Sequence, residues 1–154
     1  MVTIDVLGRQ HQEVLARLAV VEAQLQTGDG EYDAGGFTVY LRREVMEHFA
    51  LEEQALFPVL GRHLSPSRGP LAVMNAEHAA FRELLDGLAA AVASGDVERQ
   101  RAHAREVISL LRSHIAKEDH VLFPMAGRLL SATEQADVDA RATTLGGARP
   151  AHGS

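Results

Sequence analysis

At 154 residues the chain is long enough for one domain with a substantial core, and its net charge of −6 comes with both signs interspersed. There is no basic stripe to follow a nucleic acid, and no apolar run approaches the roughly 20 residues of a membrane span, so neither partner is expected. Cysteine is absent, which excludes iron–sulfur clusters, thiolate zinc sites, thiol catalysis and disulfides; with no basic-then-hydrophobic leader at the start, a cytoplasmic protein is expected.

The pattern is helical from Thr3, which can cap the start. Ile4, Leu7, His11, Val14 or Leu15, Leu18, Val21 and Leu25 recur every three or four residues and draw one buried stripe, and Gly28-Asp29-Gly30 stops it. A second helix from Gly36 or Phe37 carries Phe37, Leu41, Val45, His48, Glu52 and Leu56 inward. Pro58 cannot donate to the helical ladder and is expected to kink or end that helix. Ser65 to Gly69 reads as a loop, and Pro70 suits the first position of a third helix. Its stripe is Leu71, Met74, His78, Phe81, Leu85, Leu88 and Val92, and Gly95 ends it. Asp96 caps a fourth helix that runs through Val107, Leu110 or Leu111, His114, Glu118 and Val121 to Pro124. Ser131-Ala132-Thr133-Glu134 reads as a capping box for a short fifth helix over about 132–144, followed by a loose tail. The expected fold is all-α: an antiparallel up-down four-helix bundle with a short C-terminal fifth helix. Residues 1–145 form the domain and 146–154 a flexible tail.

The chain states one stretch twice. His48-Phe49-Ala50-Leu51-Glu52-Glu53-Gln54-Ala55-Leu56-Phe57-Pro58 returns as His114-Ile115-Ala116-Lys117-Glu118-Asp119-His120-Val121-Leu122-Phe123-Pro124. The match extends to Gly61-Arg62 against Gly127-Arg128 and Leu64-Ser65 against Leu130-Ser131. In each copy a His precedes a Glu by four residues, about 40° of rotation and roughly 6 Å of rise, so both side chains share a helix face. An upstream His stands before each copy, His11 before His48 and His78 before His114. In alternating helices these offsets, about 12 to 15 Å from one bundle end, bring all four histidines to one level. Six ionisable groups on inward faces are costly to bury without counter-charge, and imidazole with carboxylate suits iron, manganese or zinc. Glu53 and Asp119 stand about 140° round from the histidine of their own copy and are expected to face solvent or to bond the outside of the ligand set. His63, His103, His120 and His152 lack the paired arrangement and default to surface or outer roles, while Leu56-Phe57 and Leu122-Phe123 read as core.

The series His11, His48-x3-Glu52, His78, His114-x3-Glu118, with its Glu-Glu-x-x-Leu-Phe-Pro ending, resembles the hemerythrin-like, HHE cation-binding domain over residues 3 to about 130. The resemblance implies a non-haem centre of two iron ions, oxo- or hydroxo-bridged. It puts His11 and His48 on one iron, His78 and His114 on the other, and Glu52 and Glu118 between them. Oxygen-carrying hemerythrins have a further histidine one turn before the one matching His78; here Met74 stands there, a soft and poor ligand for ferric iron. Carriers also place an Asp five residues after the last His, a spacing that Asp119 occupies, so Glu118 and Asp119 both remain candidates. These features lead to a di-iron protein that binds or reacts with O2, NO or H2O2, with peroxide disproportionation as its enzymatic outcome. The alternative is an iron-holding or redox-sensing module without catalysis.

Overall fold

The computed structural model describes residues 1–27 and 32–147. The expected stop at Gly28-Asp29-Gly30, residues 148–154 of the expected tail, and with them His152, lie outside the described residues. The described residues form five helices and no strand: α1 (Val2–Thr27), α2 (34–60), α3 (Pro70–Ser94), α4 (97–129) and α5 (Ala132–Gly147). None is long and apolar enough to cross a membrane.

Local chemistry accounts for most of the boundaries. Asp33 accepts from the Gly36 N–H and starts α2 at Ala34, slightly before the expected Gly36 or Phe37. Pro70 opens α3, and Gly95, at φ 71°, closes it in the left-handed region that a glycine enters without strain. Asp96 accepts from the Arg99 N–H at 3.1 Å and starts α4. Ser131 and Glu134 exchange hydrogen bonds of 3.0 and 3.1 Å, the reciprocal box expected at the start of α5.

Thr3 does not cap α1. The helix already begins at Val2, and Thr3 is buried inside it. The free donors there go instead to Asp139 of α5, which accepts from the N–H groups of Val2 (3.2 Å) and Thr3 (2.9 Å) and from the Thr3 hydroxyl (2.6 Å). A carboxylate from a distant helix thus does the work a local cap would do.

Nor do the prolines end their helices. Beyond Glu52 and beyond Glu118 the ladder widens to a π turn, Glu52–Leu56 and Glu118–Leu122, in which the next N–H reaches back five residues. Pro58 and Pro124 fall in the first turn of the helix that resumes, where a missing donor costs little, and α2 continues to Leu60 and α4 to Leu129. A third π turn, Leu41–Val45, lies upstream in α2.

Two apolar clusters form the core. One gathers Leu18, Phe37, Phe49, Phe81, Leu88, Val107 and Leu111 with their neighbours. The other gathers Leu7, Leu56, Phe57, Met74, Leu122, Phe123 and Val138, so the two Leu-Phe pairs are core as expected. Along α1 and α3 the chain meets the second cluster first and then the first; along α2 and α4 the order is reversed. In α1 and α3 the histidine of the series falls between the two clusters; in α2 and α4 it stands one residue before Phe49 or Ile115, the last residues of the first cluster, and Glu52 or Glu118 falls between.

Candidate metal centre

Between the clusters lies a fully buried polar layer. His11, His48, Glu52, His78, His114 and Glu118 are each 4% exposed or less, and both glutamates are at 0%. One group of ligand atoms comes from His11, His48, Glu52 and Glu118, a second from Glu52, His78 and His114, and within each group the atoms lie within 4.8 Å of one another. The imidazoles pair accordingly, with ring centroids 4.7 Å apart for His11 and His48 and 5.0 Å for His78 and His114.

The carboxylates sit between the pairs. Glu52 Oε1 is 3.4 Å from His48 Nε2 and 3.2 Å from His78 Nε2. Glu118 Oε1 is 3.0 Å from His11 Nε2, 3.7 Å from His48 Nε2 and 3.3 Å from His114 Nε2. Each acid therefore reaches a histidine of both pairs.

The outer nitrogens are tied down in a ring. His11 Nδ1 meets Asp119 Oδ1 at 2.7 Å, and His48 Nδ1 meets Gln10 Oε1 at 2.8 Å. His78 Nδ1 meets Glu53 Oε2 at 2.7 Å, and His114 Nδ1 meets Glu77 Oε1 at 3.0 Å. In each case the partner comes from another helix, in the closed order α1 to α4, α4 to α3, α3 to α2 and α2 to α1. A carboxylate can only accept, so it places the hydrogen of a neutral ring on Nδ1 and leaves the Nε2 lone pair facing inward. Glu53 also accepts from Arg82 at 2.7 and 2.9 Å, and Glu77 pairs with Lys117.

Inside the ring several polar atoms go without partners. Both oxygens of Glu52, Oε2 of Glu118 and Nε2 of His78 and His114 are buried and make no hydrogen bond. Leaving even one such group unpaired costs about 1–3 kcal/mol, so a cluster of five is an anomaly for a core but the ordinary condition of a ligand set. The donor set, imidazole nitrogen and carboxylate oxygen aimed at one space, fits a borderline cation such as iron, manganese or zinc.

Electrostatics agree. Burial, reinforced by the Glu118 charge, pushes the Glu52 carboxyl well above the usual carboxylate range. Burial acts on Glu118 in the same sense but is outweighed by the polar groups of Glu52, His11, His114 and His48 that face it, which hold it well below that range. Left to themselves the two acids share one proton. Burial lowers His48 and brings His78 down to about 4, whereas for His11 the pull of burial is overcome by Glu118 and Asp119, and its value rises.

Aromatic packing orients the rings further. Phe49 stacks on His78 with centroids 3.7 Å apart, and Phe123 stacks on His11 at 5.3 Å.

All six residues expected from the sequence thus converge. Glu53 and Asp119 take the outer role while remaining partly exposed, and it is Glu118, not Asp119, whose carboxylate enters the inner cluster. Gln10 and Glu77 join the site without having stood out in the sequence. Each directly precedes a histidine of the series, at the same repeat distance as the histidines themselves. Met74 is buried in the second apolar cluster. His63 pairs with Glu134 at 2.9 Å on the surface, His120 is exposed, and His103 packs against Gly87.

Comparison with known proteins adds a family. The profile of the hemerythrin HHE cation-binding domain matches residues 2–126. An iron-sulfur cluster repair protein YtfE of Yersinia pestis (strain Pestoides F) is 32% identical over 133 residues, 77% of this chain and 60% of that protein. The protein of the same name from Escherichia coli O1:K1 / APEC is 30% identical over 131 residues, covering 76% of this chain and 60% of its own length. The chain therefore spans less than two thirds of these curated relatives. No solved structure matches it significantly.

Proposed function

The chain belongs to the hemerythrin HHE cation-binding family, and from that premise we propose that its polar layer holds two iron ions in an antiparallel up-down bundle of α1 to α4, with residues 1–145 as the domain. The alternating order in which the helices meet the two apolar clusters supports that arrangement. His11 and His48 would hold one ion and His78 and His114 the other, with Glu52 and Glu118 placed to serve both. The observation that carries the reading is the set of inward, partnerless ligand atoms whose rings are pinned from behind.

A pair of irons bound there supplies redox-active centres with positions for O2, NO or peroxide. The protein's part is to hold the imidazoles neutral with Nε2 inward, to offset the charge of two buried acids, and to keep bulk water out with Phe49, Phe57, Phe81 and Phe123. Met74, one turn before His78, supplies no third imidazole to that position, so the pair carries two histidines per ion, unlike an oxygen carrier. Reaction with peroxide is the outcome this symmetry favours.

Anaerobic iron loading followed by metal analysis tests the first step. Two irons per chain are expected, and after oxidation by air near-ultraviolet charge-transfer absorption that zinc-loaded protein lacks; fewer than one iron per chain would refute the reading. Peroxide consumption by the loaded protein tests the second step, and Met74→His is expected to lower it at equal iron content.

The relatives named for iron-sulfur cluster repair favour a second reading, an iron store that delivers metal to damaged clusters. Rapid transfer of iron to an apo cluster protein, without peroxide consumption, would select it.

A further inference from the structure

We propose that Gln10 makes the two cation positions unequal, so that the His11/His48 position exchanges its metal faster than the His78/His114 position. The proposal rests on the reading above that each pair of histidines holds one ion.

Three of the four ring anchors are carboxylates: Asp119, Glu53 and Glu77. The fourth, under His48, is the neutral amide of Gln10. A carboxylate behind the ring strengthens the imidazole as a ligand, and loss of such a partner typically weakens metal binding about 10- to 100-fold. An amide gives a weaker push. It can also turn and donate, so Gln10 alone among the anchors allows the other tautomer, with the hydrogen on Nε2 where the metal should sit. The Nε2 atoms of His11 and His48 lie 3.1 Å apart, a spacing that suits two ligands of one ion. His48 is the weakest of the four arms.

The surroundings point the same way. The repeat counterpart of Gln10 is Glu77, which Lys117 clamps, and Glu53 is clamped by Arg82. At the positions that correspond to Lys117 and Arg82, the first half of the chain has Leu51 and Leu15. Gln10 instead lines two open cavities of about 420 and 480 Å³, so water has access to the back of the His48 anchor.

Glu118 groups with His11 and His48 but also reaches His114, and Glu52 reaches both pairs, so the difference proposed is one of imidazole strength and not of carboxylate supply. Asp119 gives His11 an unclamped carboxylate, but release from a multidentate site begins at its weakest arm. Gln10 is therefore a positioning residue that acts through His48.

The test loads the protein anaerobically with Fe(II) and follows release to an excess of chelator. Wild type is expected to release two irons in two phases of equal amplitude. Gln10→Glu should slow the fast phase about 10-fold and leave the slow one in place, so that the two rates converge. Glu77→Gln should speed the slow phase instead. Tighter retention in Gln10→Glu cannot come from a damaged fold, and Gln10→Ala, checked for helical content, should quicken the fast phase. The proposal is overturned if Gln10→Glu alters neither phase or slows only the slow one, or if wild type releases both irons at one rate. Loading of fewer than two irons refutes the underlying reading instead.

Discussion

Phe81 and Glu118 are both completely buried, on neighbouring helices, but they depend on their surroundings in opposite ways. Phe81, edge-on to Phe49 in the first apolar cluster, is stabilised by burial itself and needs only neighbours that fit. Glu118, in the polar layer, is stabilised only by the groups aimed at it, and burial works against its charge. The apolar clusters fold the chain; the layer between them spends part of that stability to hold six ligand groups together.

That contrast can be broken most forcefully from the apolar side. Phe81→Ala should cost about 3–5 kcal/mol by chemical denaturation, and by a similar amount with or without metal. A loss confined to the metal-loaded protein would mean that Phe81 serves the ligands and not the fold.

The polar side responds to the ion. Metal removal should lower stability by roughly 4 kcal/mol at a free-ion concentration about a thousand times the dissociation constant, read as a drop in Tm. Glu52→Gln sharpens the point. The folded, metal-free protein keeps Glu52 protonated, while the unfolded chain releases that proton near the ordinary carboxylate pKa, so metal-free stability falls as pH rises above that value. Gln removes this penalty. The variant should be more stable than wild type without metal at neutral pH, yet bind metal less well.

His78 gives the opposite slope. Its folded value of about 4 lies below the unfolded 6.5, so the unfolded chain takes up the proton first. Metal-free stability should fall as pH drops from 6.5 towards 4, by about 3 kcal/mol from this group. Denaturation across that window, for wild type and His78→Gln, checks the slope, which the variant should flatten.

The smallest effect lies outside the layer. Asp139→Ala removes the carboxylate that satisfies the start of α1 and should cost about 1 kcal/mol, with metal affinity unchanged. The stabilising contribution of Asp139 is present above the ordinary aspartate range and is lost as pH falls through its lowered folded value.

The inner ligands are legible in the sequence because a repeated His-x3-Glu on an apolar stripe would be a costly thing to bury for any purpose but holding a cation. The caps Asp96 and Ser131–Glu134 are legible because they act locally. What escapes lies between helices. Measured against the histidine of their own helix, Glu53 and Asp119 stand at about 140°, which leaves solvent and the outside of the ligand set both open; that offset carries them to a ring on the next helix, which the pattern of one helix does not name. Gln10 and Glu77 flank the stripe as partly exposed polar residues and look like ordinary surface; the signal is their shared place before His11 and His78. Thr3 reads as a cap because nothing near it in sequence announces Asp139. The π turns that let the chain pass Pro58 and Pro124 leave no mark in an i, i+3, i+4 pattern.

The ring of outer hydrogen bonds has no first or last member. Each of the four helices is fastened to the next at the level of the histidines, so none can slide by a turn past its neighbours without releasing two of the four fastenings. Such a clasp depends on which helices are adjacent, and not on where the chain is opened. The start of α1 already lies against α5 through Asp139, and the loop at 61–69 is largely exposed. A circular permutant opened in that loop, with the original ends joined by a flexible linker, should close the same ring and keep the same metal capacity.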